Sequence, residues 1–333
     1  MQNGIAFSMD RWARVKENAE AWWRGDLKRP LIQLTLSGYD AVRTEPAIPA
    51  DLFTAAYGEE VSATSIVDRW DYDLSRLHFA GDSFPHVWPN FGAGVLAEFM
   101  GARAEYREET VWFHPPEVAE AGWGTPLRLQ STHPTLTRVA DIMREANNRW
   151  QGLVQVDMTD LGGSMDILST FRPGEKLLLD LYDDPECVKK RLKEAHAEWW
   201  RAFEMLNGVL QPLNPGYSSW ASVYSERPGY MLQCDFCYMV GPAMFDEFVK
   251  PELVESCRKL DYAFYHLDGP GQLAHLDSLL DIEELKGVQW IPGPGSGFDA
   301  WPEVYRKIKA AGKKIWISGS VDADGHCILD DLA

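Results

Sequence analysis

The feature that most constrains the fold is a regular alternation of short apolar β runs and helical segments in the second half of the chain. The β runs are rich in branched and aromatic residues, and the helices carry start and stop signals such as Asp184-Pro185 and Asn207-Gly208. Such an alternation is typical of a parallel sheet covered by helices. The predicted strands span 152–158, 230–235, 263–268, 288–291 and 314–318, and the predicted helices span 184–206, 242–260, 271–280 and 301–311.

Polar and aromatic side chains mark the carboxyl ends of these strands and of a short β run near 217–221. A closed barrel collects its chemistry at that one rim. A doubly wound sheet gives the same local pattern, but no glycine-rich dinucleotide fingerprint follows the first β run at 31–36. The remaining alternative is that these polar residues simply begin the loops after the strands, as they do in any α/β protein. We predict an α/β fold, a (β/α)8 TIM-type barrel, from the strand-end residues Asp157, Ser218, Trp220, Asp235, His266, Asp268, Gln289, Trp290 and Ser318.

The N-terminal part is expected to elaborate the first units of this barrel. An amphipathic helix is predicted over 11–24 and ends at Gly25, before the β run at 31–36. Residues 37–150 are less regular and rich in Pro, Gly and Trp, with a strand near 77–80 and hairpin-like sequence around 105–115. No repeat or linker divides the chain, so we predict a single domain over residues 1–333.

The charge balance excludes two classes of partner. The chain has 32 basic and 50 acidic side chains, a net charge of −18, which repels nucleic acid and anionic lipid. No apolar run approaches the roughly 20 residues of a membrane span. Five scattered cysteines and an N-terminus without signal-peptide character indicate a cytoplasmic protein with free thiols. Exposed aromatic residues in the N-terminal insertions would suit a surface at which two copies of the chain form a homodimer.

The strand around His266 is the sharpest candidate for a catalytic centre. His266 and Asp268 are two residues apart, so their side chains point to the same face of the strand. An imidazole and a carboxylate on one face can share a metal or act as an acid–base pair. The alternative is a hydrogen bond that closes the rim. A buried charged pair without a purpose is costly, which favours a functional role.

A second cluster follows the preceding strand. Cys234 and Cys237 have the Cys-x-x-Cys spacing of zinc and redox sites, but no second ligand pair accompanies them. Small apolar packing is the commoner role of such cysteines. Asp235 at the strand end is the better candidate for catalysis. The residues expected to line the substrate pocket are Asp157, Trp220, Cys237, His275, Gln289 and Trp290.

Two familiar catalytic motifs are missing. The glycine-rich stretch at 293–297 follows a late strand and has no lysine in the P-loop position, so it is not a nucleotide site. No Gly-x-Ser-x-Gly elbow occurs, which disfavours a serine hydrolase.

An ordered series of segments resembles the uroporphyrinogen decarboxylase superfamily, which includes zinc-dependent, corrinoid-linked methyltransferases. The resemblance covers chiefly residues 150–320 and implies a barrel whose strand ends bind the substrate. The segments are Gln233-Cys234-Asp235-Phe236, the phenylalanines and prolines of 242–251, Tyr265-His266-Leu267-Asp268-Gly269, 288–293, and the strand after Gly312-Lys313.

The resemblance also implies a metal centre. In the methyltransferase branch a His-x-Cys pair and a later Cys hold zinc and activate a thiol acceptor. His266 matches this pattern, Asp268 stands where the first Cys would be, and Cys327 follows the last strand. His266, Asp268 and Cys327 are therefore the expected zinc ligands. The arginine-rich segment of the decarboxylase branch is replaced by a different sequence at 24–30, which disfavours classical uroporphyrinogen decarboxylation.

The leading hypothesis is a corrinoid-associated methyltransferase acting on a small methylated substrate. It implies zinc as a metal and a corrinoid protein as a partner, with His266, Asp268 and Asp235 as catalytic residues. One alternative is a metal-free decarboxylase or lyase for a small carboxylated substrate, with the same residues moving a proton. The other is a non-catalytic accessory binding protein.

Overall fold

A computed structural model of the chain describes residues 4–41, 43–116, 127–172, 174–293 and 295–318. Among them the α-helices are α1 (Met9–Arg24), α2 (Ala63–Ser75), α3 (Leu96–Phe99), α4 (Pro134–Trp150), α5 (Ser164–Phe171), α6 (Glu175–Asp183), α7 (Pro185–Leu210), α8 (Pro242–Met244), α9 (Lys250–Lys259), α10 (Leu276–Leu280) and α11 (Pro302–Ala310). The strands are β1 (Gln33–Leu36), β2 (His78–Gly81), β3 (His86–Val87), β4 (Arg103–Tyr106), β5 (Val111–His114), β6 (Gln155–Val156), β7 (Gly229–Leu232), β8 (Tyr262–Asp268), β9 (Gly287–Ile291) and β10 (Lys314–Trp316).

The chain forms two compact units. The first comprises Met1–Leu161, Thr170–Arg172 and Ala197–Pro228, and the second comprises Gly162–Ser169, Pro173–His196 and Gly229–Ala333. The predicted single domain stays a prediction. No described helix combines the length and the apolar character needed to cross a membrane.

The second unit contains a four-stranded parallel sheet in the order β10-β9-β8-β7. Its strands match four of the predicted β runs, because branched and aromatic side chains fill both faces of a covered sheet. In the first unit β3 pairs in parallel with β6, while β1 pairs with β2 and β4 with β5 in antiparallel fashion. The mixed α/β class with parallel sheets is therefore confirmed, and the closed barrel stays a prediction.

Local signals explain the first helix. The Ser8 side chain accepts a hydrogen bond from the Arg11 N–H, and Gly25 ends the helix in the left-handed conformation. Trp12 is buried in an aromatic cluster with Phe84 and Tyr224, and its indole N–H donates to the Leu153 carbonyl over 2.7 Å. This cluster is part of the core of the first unit.

Five helices, α2 to α6, were not predicted, and two predicted helices differ in form. The irregular stretch before residue 150 contains α2 and α4, and α4 buries one apolar face. The helix predicted over 242–260 contains a π-helical segment, Phe245–Val249, before α9. Pro251 explains this widening, because it has no N–H to donate and its ring crowds the carbonyl four residues earlier. The helix predicted over 271–280 begins as a 3₁₀ helix, Pro270–His275.

Candidate active site

The carboxyl ends of β7, β8 and β9 hold the predicted catalytic residues of the second unit. Parallel pairing sets His266 opposite Gln289. Along β8, Tyr265 and Leu267 are buried while His266 and Asp268 are partly exposed. The two catalytic candidates therefore share one face of the strand, as the alternation of side chains predicts.

A neighbouring glutamine fixes the orientation of His266. The His266 Nδ1 atom lies 2.6 Å from the Gln289 Oε1 atom, and Gln289 is buried. Because an amide oxygen only accepts hydrogen bonds, Nδ1 carries the hydrogen and Nε2 is the basic nitrogen of the ring. Gln289 therefore positions His266, although the sequence had suggested that Gln289 lines the pocket.

Asp235 opens a short 3₁₀ helix, Asp235–Met239, directly after β7. The Phe236 N–H donates to the Asp166 Oδ1 atom over 2.7 Å and so anchors this turn. Gly163 permits a close approach, since a Cβ at this position would lie 2.3 Å from the Gln233 carbonyl oxygen. Sequence reasoning missed Asp166. Its only signal was an acidic residue in the first turn of α5 after two glycines.

Burial raises the pKa of two carboxyl groups near these strand ends, Asp235 and Asp166. The surrounding protein excludes water and raises the pKa of Asp235 above its ordinary value; His266 opposes the rise and Asp268 adds to it. Burial, together with the charge of Asp235, raises the pKa of Asp166 well above its usual range. A general acid in this site would need a raised pKa, so Asp235 is the candidate for that role.

A cleft of about 640 Å³ lies beside these residues. This volume suits a small organic ligand. Two carboxyl groups face it, and no basic side chain of the described residues contributes to its wall. The lining residues are Asp235, Tyr238, Asp268, Gly269, Pro270, Gln272, Pro292, Gly293, Gly295 and Ser296.

The two cysteines are buried behind the cleft. The Cys237 sulfur lies 3.8 Å from the Tyr265 hydroxyl. A hydrogen bond from Cys234 lowers the pKa of Cys237 to about 6 against the effect of burial, and His275 adds to the lowering. His275 is buried, donates from Nε2 to the Cys237 carbonyl over 2.9 Å and stacks on Phe245. Cys237 and His275 thus support the strand end, and neither is among the lining residues.

The other predicted pocket residues, Trp290, Asp157 and Trp220, are not among the residues that line this cleft. Trp290 is fully buried in β9, with its ring 5.1 Å from that of Trp301. Asp157 and Trp220 belong to the first unit. Asp157 is buried and accepts a hydrogen bond from His86, a residue that sequence reasoning had not assigned to the site. The structure therefore brings His266, Asp268, Asp235 and Gln289 together at the carboxyl end of the sheet, on β7, β8 and β9 or directly beyond them.

The predicted zinc ligands are described only in part. His266 and Asp268 share a face of β8, whereas Cys327 lies outside the described residues. Within residues 4–318, apart from the undescribed gaps, no group of three His, Cys, Asp or Glu side chains is arranged to hold a metal ion. Zinc binding stays a prediction.

The comparisons with known proteins show a likeness of fold. A methyltransferase from Methanosarcina mazei superimposes with a TM-score of 0.56, and the match covers 90% of this chain and 81% of that one. The sequences are 11% identical, so the likeness concerns the fold alone. No family model and no curated protein matches the sequence.

Proposed function

We propose that this protein is a methyltransferase of the uroporphyrinogen decarboxylase-like type, which removes a methyl group from a small substrate bound in the cleft of the second unit. The observation that carries the proposal is the placement of Asp235, with its raised pKa, in the wall of that cleft beside Asp268. The fold similarity to a methyltransferase supports it.

Asp235 is the proton donor in this proposal. The substrate has a methyl group on a heteroatom, and an acceptor nucleophile attacks the methyl carbon from the side opposite the leaving group. The electron pair of the broken bond stays on the heteroatom, which takes the proton of Asp235. A protonated carboxyl lowers the barrier because it neutralises the charge that develops on the leaving atom.

His266 restores the proton to Asp235. Its Nε2 atom is the basic nitrogen, because Nδ1 is held by Gln289. The charge of His266 lowers the pKa of Asp235 and so opposes the effect of burial. In this proposal Nε2 takes a proton from solvent and passes it to the Asp235 carboxylate after each transfer, which returns the imidazole to its neutral form.

The charge of the cleft argues against the decarboxylase alternative. A small carboxylated substrate needs a cationic partner, yet the described wall holds two acidic side chains, Asp235 and Asp268, and no basic one. The net charge of −18 adds to the repulsion. An uncharged or cationic methylated compound fits better, and Tyr238 offers an aromatic face to it.

The acceptor nucleophile comes from a partner in this proposal. The resemblance to corrinoid-linked methyltransferases suggests a corrinoid protein, and it suggests zinc as the metal. Neither is needed for the roles of Asp235 and His266, which depend on their own contacts.

The fate of the methyl carbon tests the proposal. The protein is incubated with cob(I)alamin as acceptor and a panel of methoxy and N-methyl compounds carrying a ¹³C methyl group. We expect the label to move to cobalt, as followed by NMR, with one demethylated product per transferred methyl. Release of carbon dioxide from carboxylated compounds without label transfer would favour the decarboxylase, and binding without any product would favour an accessory protein.

A further inference from the structure

A chain of three polar side chains lies in the first unit, on elements that the proposed methyl transfer does not use. His86 begins β3 and Asp157 directly follows β6. These strands pair in parallel, and the Asp157 N–H donates to the Val87 carbonyl over 2.8 Å. Ser222 lies in a loop whose ends are joined by a bridge between Tyr217 and Ser225.

The distances form a continuous hydrogen-bonded relay. The Ser222 Oγ atom is 2.9 Å from His86 Nε2, and His86 Nδ1 is 2.6 Å from Asp157 Oδ2. A carboxylate accepts the Nδ1 hydrogen, so Nε2 is the acceptor for the serine hydroxyl. Hydroxyl, imidazole and carboxylate therefore stand in the order and at the distances of an acyl-transfer triad.

The three side chains of the relay are buried to different degrees, and the carboxylate is the most buried, as in an acyl-transfer triad. The Asp157 side chain is fully buried, while the His86 side chain is 31% exposed and Ser222 is half-buried. Burial lowers the pKa of His86, but the charge of Asp157 and their hydrogen bond outweigh it and raise the pKa. The imidazole is thus a strengthened base beside the hydroxyl of a half-buried serine.

The backbone at Ser222 is strained. Its φ is 56°, and in the described part of the chain Gln151 is the only other non-glycine residue with a positive φ. The conformation is held from both sides, since the Ser222 N–H donates to the Ser219 carbonyl and the Gln33 amide donates to the Ser222 carbonyl. A merely structural serine needs no such conformation, whereas nucleophilic serines are commonly presented on strained turns.

We propose that Ser222, His86 and Asp157 form a nucleophilic site for acyl transfer from small uncharged esters, with Ser222 as the nucleophile. Triads are defined by geometry and not by sequence position, and this one is built without a Gly-x-Ser-x-Gly elbow. The uncharged class of substrate follows from the net charge of −18, which disfavours anionic esters.

The reaction balances without a cofactor. The Ser222 oxygen bonds to the ester carbonyl carbon while its proton passes to His86 Nε2. The bond between the carbonyl carbon and the alkoxy oxygen then breaks, and that oxygen takes the proton from His86 and leaves as an alcohol. Water, deprotonated by His86, attacks the acyl group on Ser222, and the carboxylic acid leaves as the proton returns to the serine.

A fluorophosphonate probe and 4-nitrophenyl acetate test this proposal on the full-length protein. We expect the phosphonate adduct on Ser222, located by peptide mass spectrometry, and a burst of nitrophenol. His86→Gln should slow both reactions by about 100-fold, since it removes the base. Ser222→Gly should abolish both while the melting temperature stays equal or rises, because glycine relieves the strained φ.

The matched control is Ser37→Ala, which removes an exposed serine of the same unit. This variant should react with the fluorophosphonate probe and hydrolyse 4-nitrophenyl acetate at the rates of the unaltered protein. Labelling spread over other serines, or unchanged labelling in Ser222→Gly, would overturn the proposal.

Discussion

Glu252 is a buried acid whose ionisation should destabilise the fold. It lies in α9, its side chain is 10% exposed, and Ser164 donates hydrogen bonds to its carboxyl group. Burial raises the pKa of Glu252 from 4.5 to about 7, and the charge of Glu255 adds to the rise. Folding therefore holds a proton on Glu252 that the unfolded chain releases at lower pH.

The sign and size of the effect follow from proton linkage. Between pH 4.5 and 7 the folded state binds more protons at Glu252 than the unfolded state, so its stability falls as the pH rises and levels off above pH 7. A shift of the Glu252 pKa from 4.5 to about 7 lowers the free energy of unfolding at pH 8 by about 3 kcal/mol. Roughly 2.5 kcal/mol of this difference should develop between pH 5 and pH 8.

The assay compares urea unfolding of the unaltered protein and Glu252→Gln at these two pH values. Glutamine keeps an oxygen that accepts the Ser164 hydrogen bonds, but it does not titrate. Between pH 5 and pH 8, we expect the free energy of unfolding of the variant to fall by about 2.5 kcal/mol less than that of the unaltered protein. Glu283→Gln, at an exposed position, is the control and should retain the full pH dependence. Parallel pH profiles for the unaltered protein and Glu252→Gln would refute the reasoning.

Three further substitutions test the packing within the two units. Gly163→Ala should destabilise by about 1–3 kcal/mol in thermal unfolding, because the new Cβ would lie 2.3 Å from the Gln233 carbonyl oxygen. Gly208→Ala, in α7 with open space around it, should instead stabilise by up to about 1 kcal/mol, and a similar loss in both variants would contradict the argument. Trp150→Phe removes the 2.7 Å hydrogen bond to the buried Asp71 carboxylate and should lose about 1–3 kcal/mol in urea unfolding; no loss would mean that this bond contributes nothing.

Local patterns in the sequence predict much of the second unit. The alternation along β8 places His266 and Asp268 on one face, and both residues are partly exposed there. In the first unit, α1 ends at Gly25 as predicted and begins two residues before its predicted start. Such features depend on neighbours in the chain, so they can be read from the sequence without knowledge of the tertiary structure.

Contacts between distant residues could not be predicted in this way. Asp166 anchors the turn at Phe236 across 70 positions, and Ser222 meets His86 across 136. Neither contact has a fixed spacing in the sequence. The helix α4 is a different case, because its buried Val139, Ile142 and Met143 carry a helical pattern that the surrounding Pro- and Gly-rich stretch obscured.

The most direct test of the central claim is single-turnover methyl transfer to cob(I)alamin, followed by absorbance, in Asp235→Asn and in Asp281→Asn. Asp281 is 79% exposed and outside the cleft wall, so it matches the chemical change without touching the site. If Asp235 donates the proton to the leaving group, Asp235→Asn should slow transfer by about 100-fold or more while Asp281→Asn stays at the original rate. Equal rates in the two variants would contradict the assignment of the active site to this cleft.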